Sequence, residues 1–514
     1  MLFSSWNFLV YFLPITVLGF ALIPFRWEIA RKLWLVAASF VFYGYWKLEY
    51  VPLLAGSILF NYAIAEGMVR LHSTRGARWL LIAGVTANLL LLGYFKYTNF
   101  TVHFFSWITQ RDLGQFNIIL PLAISFFTFT QISYVVDVYR DRTVHARFLD
   151  YGLFVVLFPH LIAGPIVRHW EIIPQFETRE FRVSRDNFGI GFTLFMLGLM
   201  KKYLADSAAL YADDVYNGAV RGATLSSFDS WIGTVAFALQ IYFDFSSYSD
   251  MAIGLARMLG VKFPYNFDSP YKATSIIVFW ERWHRTLTRF LREYVYYTLG
   301  GNRRGHARQM VNIMVTMLLS GLWHGAGWTF VIWGALHGMF IAINHQWRLV
   351  VAKTKWNFEH WIYRGAGVVL TFVAVSMAWT FFRAPTIGVA GKVLASLVGV
   401  GGFSFPDEWF WHGTLRDHLL APLGFQFVTT TALNIKHYEN ALGCIAILLA
   451  ICWAMPNSQQ LLSRYHPTLE PVTRPAAFHL KLGIWTGLVL GFVGYLILRN
   501  SFTTEPSPFI YFNF

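Results

Sequence analysis

The residues able to do chemistry gather in one stretch of the chain, between Tyr242 and Gly338. His324 lies in Ser320-Gly-Leu-Trp-His-Gly-Ala-Gly-Trp328, a glycine-flanked break between two apolar arms. A neutral imidazole takes up a proton near pH 7, which suits a general base acting on a hydroxyl. The same position also suits a structural histidine that bridges two helix ends. His337 follows in Trp333-Gly-Ala-Leu-His-Gly338, on a more regular arm. His284 follows Trp280-Glu-Arg-Trp283 in a basic segment. Each of these two reads either as a supporting catalytic group or as a hydrogen-bonded core residue. Asp244 and Asp250 stand at the end of an apolar run. Charges there are costly unless paired or used, and pairing with nearby arginines is the simpler expectation. As one continuous helix, Arg282, Arg285, Arg289 and Arg292 would fall at i, i+3, i+7 and i+10 on a single face. Such a stripe fits anionic lipid headgroups, and equally the phosphates of a donor molecule, which guanidinium forks bind in pairs of hydrogen bonds.

Other chemistries lack their residues. There is no GxxxxGK[ST] loop for ATP, no HExxH and no GxSxG. His284, His324 and His337 have no carboxylate or thiol at a supporting metal spacing, so no metal and no permanently bound cofactor are expected. Cys444 and Cys452 share one apolar run and read as small hydrophobes.

The elements that must carry these residues are membrane helices. The 514-residue chain is 56% hydrophobic and only 13% charged, where a soluble domain carries about a quarter charged residues. Mean hydropathy is +0.46. The net charge of +14 belongs to a membrane protein with basic cytoplasmic loops rather than to a nucleic-acid binder. A span needs about 20 apolar residues. Candidate spans are Phe8–Phe25, Leu33–Tyr45, Val51–Val69, Trp79–Phe95, Ile118–Val138, Phe188–Leu204, Ile232–Phe245, Ala366–Phe382, Ala441–Met455 and Leu482–Leu498. An all-α, polytopic fold of about ten such helices is therefore expected. The opening Met1–Phe25 has no basic n-region and reads as a retained first helix. Tyr151–Val167 is broken by Pro159 and Gly164-Pro165, and Met310–Ile343 by Gly325-Ala-Gly327. Both are expected to be re-entrant, with arms too short to cross and His324 at membrane depth.

The arginine clusters at 26–32, 70–78, 140–147, 168–185, 257–308 and 348–364 then share the cytoplasmic side. Both termini face outward, and 383–440 forms an extramembrane loop on the far side. Nothing divides the chain, so 1–514 reads as a single membrane domain.

Several of these segments together resemble the membrane-bound O-acyltransferases, and among them the bacterial polysaccharide O-acetyltransferases of the alginate type. The matching stretches are Ala163-Gly-Pro-Ile-Val-Arg168, Tyr242 to Ala256, Phe279-Trp-Glu-Arg-Trp-His284, Tyr294 to Gly301 and Gly321-Leu-Trp-His-Gly-Ala326. The resemblance implies a helical tunnel in the bacterial inner membrane, and the loop charges put both termini on the periplasmic side. It implies acetyl transfer from cytoplasmic acetyl-CoA to a hydroxyl of an exported polysaccharide, or to a periplasmic partner protein. His324 falls on the family's invariant histidine and His284 on its Trp-x-x-Trp-His motif. His337 and Asp250 would support them, and Arg282, Arg285, Arg289 and Arg292 would hold the donor. Relatives often carry two basic residues where this chain has Glu281-Arg282. The alternative class is a transporter or proton-coupled flippase for a polysaccharide precursor, using the same buried His and Asp as a relay. A transporter commonly shows paired halves, whereas this chain has one polar cluster.

The charge pattern predicts that the 70–78 loop is cytoplasmic. A cysteine placed at Ser73 is expected to resist an impermeant thiol reagent in intact cells, and ready labelling would overturn the topology.

Overall fold

A computed structural model describes residues 1–71, 74–141, 145–354, 360–406, 422, 425–428, 438–472, 476–503 and 507–510. Ser73, Arg142, Lys355 and much of the 383–440 loop lie outside the described residues. The fold is helical, as the apolar spans lead one to expect. In chain order the helices are α1 (Leu13–Leu22), α2 (Glu28–Gly44), α3 (Val51–Arg70), α4 (Thr74–Leu92), α5 (Thr98–Thr109), α6 (Ile124–Arg140), α7 (Phe148–Val156), α8 (Phe158–Leu161) and α9 (His169–Ile172). They continue as α10 (Arg185–Val220), α11 (Ser227–Met258), α12 (Ile276–Arg282), α13 (Arg285–Leu291), α14 (His306–His324), α15 (Trp328–Val351), α16 (Trp361–Arg383) and α17 (Ile387–Leu397). After β1 (Phe403–Pro406) and β2 (Phe425–Val428) come α18 (Tyr438–Ala454), α19 (Ser458–Leu461) and α20 (Ile484–Thr503). β1 and β2 pair in parallel within the expected extramembrane loop, a small exception to an otherwise α-helical fold.

Two compact units share the chain, the first built from Met1–Met200, Ser247–Asn266 and Asn457–Phe514, the second from Lys201–Ser246 and Phe267–Pro456. α10 and α11 each contribute residues to both.

In the first unit, amides tie the helices together. Asn88 donates to Asn61 Oδ1 at 2.6 Å, Asn61 donates to Gln131 Oε1 at 3.1 Å, and Gln131 donates to the Ser57 hydroxyl at 2.9 Å. Tyr151 on α7 adds its hydroxyl to Gln131 at 3.2 Å. Buried Lys32 on α2 pairs with Asp150 at 2.6 Å and with Glu28. The helix breaks at Leu157, between α7 and α8, and Pro159 sits in the first turn of α8, where its missing N–H has no helical partner to lose.

Among the described residues, four helical stretches are long and apolar enough to cross a membrane: Leu48–Arg70, Arg75–Thr109, Arg185–Val220 and Trp361–Arg383. The expected ten are not reached by this measure. Asn7–Leu22, Ile387–Leu397, Tyr438–Ala454 and Ile484–Ile497 are apolar but shorter. The span expected from Ile118 starts helically only at Ile124, after Pro121. The arms around His324 are longer than their apolar cores suggested: α14 has 19 residues and α15 has 24. At about 1.5 Å per residue α14 comes close to the roughly 30 Å of a hydrocarbon core and α15 exceeds it, so neither arm is too short to cross. Their polar ends, from His306 to Gln309 and from His345 to Arg348, hid that length in the sequence.

In the second unit, α14 and α15 pack backbone to backbone. A Cβ on Gly321 would collide with the carbonyl of Phe330, and one on Gly334 with that of Met317. Gly443 on α18, by contrast, has open space around it. Gly334→Val is therefore expected to lower the thermal midpoint of the purified protein, by overpacking worth roughly 1–3 kcal/mol. Gly443→Ala should leave it level or slightly raised. Equal midpoints for Gly334→Val and wild type would refute this account of the helix contact.

Candidate active site

His324 is the last residue of α14, and Gly325 ends the helix in an extended conformation. Its side chain is buried among rings. Trp323 lies 4.9 Å away by ring centroids, Trp333 5.1 Å, Phe382 5.3 Å and His284 6.5 Å. Phe382 comes from α16, which was legible only as an apolar span. Trp379, one turn earlier on that helix, stacks on Trp333 at 5.4 Å. These two ring residues were missed because nothing in an apolar run distinguishes a lipid-facing aromatic from one that walls a site.

His284 reaches the same cluster through a break in its helix. The expected continuous helix over 279–294 does not form. Ser275 caps α12 by accepting from the Val278 N–H at 3.4 Å, and the helix ends at Arg282. Trp283 is extended, and His284 takes a left-handed conformation at φ 43° before α13 begins. That region is uncommon for any residue other than glycine, with histidine among the tolerated exceptions, and it costs of order 1–3 kcal/mol. Packing holds it. Trp283 is fully buried against Phe267 at 5.1 Å, Trp379 at 5.0 Å and Phe279 at 5.6 Å, and the His284 ring meets Phe245 edge-on at 4.6 Å.

The break also divides the basic stripe. Arg282 belongs to α12, whereas Arg285 and Arg289 lie one turn apart on α13, and Arg292 opens the π-turn Arg292–Tyr296. Arg282, Arg285 and Arg289 are half-buried and Arg292 is exposed. The four do not form one helical face.

His337, on α15, is fully buried and accepts a hydrogen bond from Trp280 Nε1–H at 3.3 Å through its Nδ1. It packs 4.8 Å from Trp333, four residues earlier on the helix. All three histidines, together with Trp280, Trp333 and Phe382, thus belong to one aromatic-walled cluster in the second unit.

The carboxylates have other duties. Asp244 pairs with buried Lys202 at 2.9 Å, and Lys202 also holds Asp206 at 2.8 Å. Asp250 belongs to the first unit, where it accepts hydrogen bonds from Gln459 at 3.0 Å and from the Ser458 hydroxyl at the start of α19. These contacts are made by a lysine and by uncharged donors. Among the described residues no group of three His, Cys, Asp or Glu side chains is placed to hold a metal ion.

Residues 141–383 match the model of the membrane-bound O-acyltransferase family. The chain is 40% identical over 436 residues to a peptidoglycan O-acetyltransferase of Helicobacter pylori, covering 79% of this chain and 81% of that protein. It is 42% identical over 415 residues to a probable alginate O-acetylase of Pseudomonas aeruginosa, covering 79% and 76%. A teichoic acid D-alanyltransferase of Streptococcus thermophilus matches at 24% over 288 residues, 51% of this chain and 68% of that one. Identity at this level and coverage, with the matched region spanning the histidine cluster, makes this chain a membrane-bound O-acyltransferase.

Proposed function

We propose that this acyltransferase moves an acetyl group from cytoplasmic acetyl-CoA, through a tunnel in the bacterial inner membrane, to a hydroxyl on the periplasmic side. The acceptor is an exported polysaccharide of the alginate kind or a periplasmic partner protein that passes the group on. The observation that carries the reading is His324, held at the tip of α14 in a box of aromatic rings beside His284. The relatives named as O-acetyltransferases supply the acyl class.

In this reading His324 takes the proton of the incoming hydroxyl as its oxygen attacks the acetyl carbonyl carbon. The carbon–sulfur bond then breaks, and the proton passes to the departing thiolate, so no net proton is consumed. Aromatic walls exclude water that would otherwise hydrolyse the thioester. His284 lies within the same ring cluster and supports the base. Arg285 and Arg289 hold the phosphates of the donor, with Arg282 and Arg292 reaching them from either side of α13. Both termini are periplasmic, the 383–440 segment forms a platform for the partner, lipid surrounds the helices, and the whole chain acts as one acyltransferase domain. Asp250 is a further supporting residue, and it accepts hydrogen bonds from Ser458 and Gln459.

A general base contributes typically 10²–10⁴-fold in rate. His324→Gln keeps one hydrogen-bonding group but cannot take the proton, and it should lose that factor in acetyl transfer while inserting and extracting normally. Near-normal turnover of the Gln variant would make His324 structural. A second measurement addresses the donor. Replacing Arg285 and Arg289 together by Gln should raise the apparent KM for acetyl-CoA, each charge-assisted contact being worth roughly 1.5–3 kcal/mol. An unchanged KM would leave these arginines to the lipid headgroups.

A further inference from the structure

Helix α15 carries two buried N–H groups that the roles above leave unused. His337 Nδ1 accepts from Trp280, so in the neutral imidazole the proton sits on Nε2. That Nε2 is buried without a hydrogen-bond partner among the described residues. So is Nε1 of Trp333. Both side chains are fully buried. They lie four residues apart, and so on one face of the helix, with ring centroids 4.8 Å apart. The Trp333 ring is edge-on to His324 at 5.1 Å.

Buried donors in folded proteins are nearly all satisfied, and each exception calls for a reason. Two on adjacent side chains, one of them packed on the proposed base, share one. Their positions are also fixed. Gly334 sits against the Met317 carbonyl, Gly338 against Met314, and Trp379 stacks on Trp333. Trp280 sets the tautomer of His337, which makes it a positioning residue for the second donor.

We propose that Trp333 Nε1–H and His337 Nε2–H bind the carbonyl oxygen of the acyl thioester. This rests on the acetyl-CoA reading given above. When the acceptor oxygen adds to the carbonyl carbon, the C=O electron pair moves onto the carbonyl oxygen, and it returns as the carbon–sulfur bond breaks and the thiolate leaves. The two N–H groups face that oxygen while it carries the charge. Donors fixed in place in a water-excluded site stabilise such a charge without reorganising at the moment of reaction.

Trp333→Phe keeps the ring and removes the donor. It is expected to lower kcat by about 10²–10³-fold with little change in the KM for acetyl-CoA. The pH–rate profile should keep its shape, because His324 remains. A kcat within threefold of wild type for both Trp333→Phe and His337→Leu would overturn the proposal.

The infrared carbonyl band of [1-13C]acetyl-CoA, bound to the His324→Gln protein, gives a readout that a purely structural role would not move. The band is expected to shift to lower frequency on binding and to return toward its free position when Trp333→Phe is added. A band at the free position in His324→Gln alone overturns the proposal even where the double variant fails to accumulate. Failure of titrated acetyl-CoA to bind the wild-type protein would overturn the donor reading itself and this inference with it, an outcome distinct from a bound but unshifted carbonyl.

Discussion

The contact between α14 and α15 is the constraint on which the rest of the site depends. In lipid the association of helices rests on close packing, because hydrocarbon tails are as apolar as leucine. Gly321 and Gly334 remove the two side chains that would hold these helices apart, and each faces a backbone carbonyl of the partner helix. Bringing the helices together seats the end of α14, with His324, against the start of α15, with Trp333. The turn of Gly325-Ala-Gly327 between them is short, so the histidine has little freedom to move along the axis. Trp280 of α12 then packs on Trp333, and Phe382 of α16 on His324.

A second device brings in His284. No glycine or proline marks the break between α12 and α13, and the residue that pays is a histidine in a left-handed conformation. The contacts of Trp283 with Phe267, Phe279 and Trp379 hold it there. The strain is local and the compensation distributed, an arrangement often found where a side chain must be aimed at a partner on another element.

The sequence was informative where local signals agree with tertiary structure. The glycine-flanked break after His324 and the prolines around 157–165 are both real interruptions. The grouping of His284, His324 and His337 was legible because their motifs lie close together in the chain. The arginine spacing misled, since four guanidiniums at helical intervals look the same whether or not a buried tryptophan interrupts the helix. The partner of Asp244 is Lys202, 42 residues earlier, a pairing set by how α10 lies beside α11 and invisible to local reading. Among the described residues ten spans are not reached because apolar composition in the sequence does not fix helix length: stretches such as Asn7–Leu22 and Tyr438–Ala454 are apolar but form helices shorter than a bilayer needs. The two aromatic walls on α16 carried no signal at all.

The amide chain of the first unit has a consequence for how the protein is made. Asn61, Asn88 and Gln131 stand on α3, α4 and α6, and each would present a bare amide to hydrocarbon if its helix entered the bilayer alone. These helices leave the ribosome one after another, so each newcomer carries the complement that its predecessors lack. Interhelical bonds of this kind are modest, about 0.6–2 kcal/mol, but they are directional, and a helix rotated about its axis or slid by a turn would forfeit them. The amides thus act as a registration mark during biogenesis, sorting the correct rotational setting from the many that smooth apolar surfaces would accept. Tyr151 joins last in chain order, its hydroxyl on Gln131 completing the set only after the other three are in place.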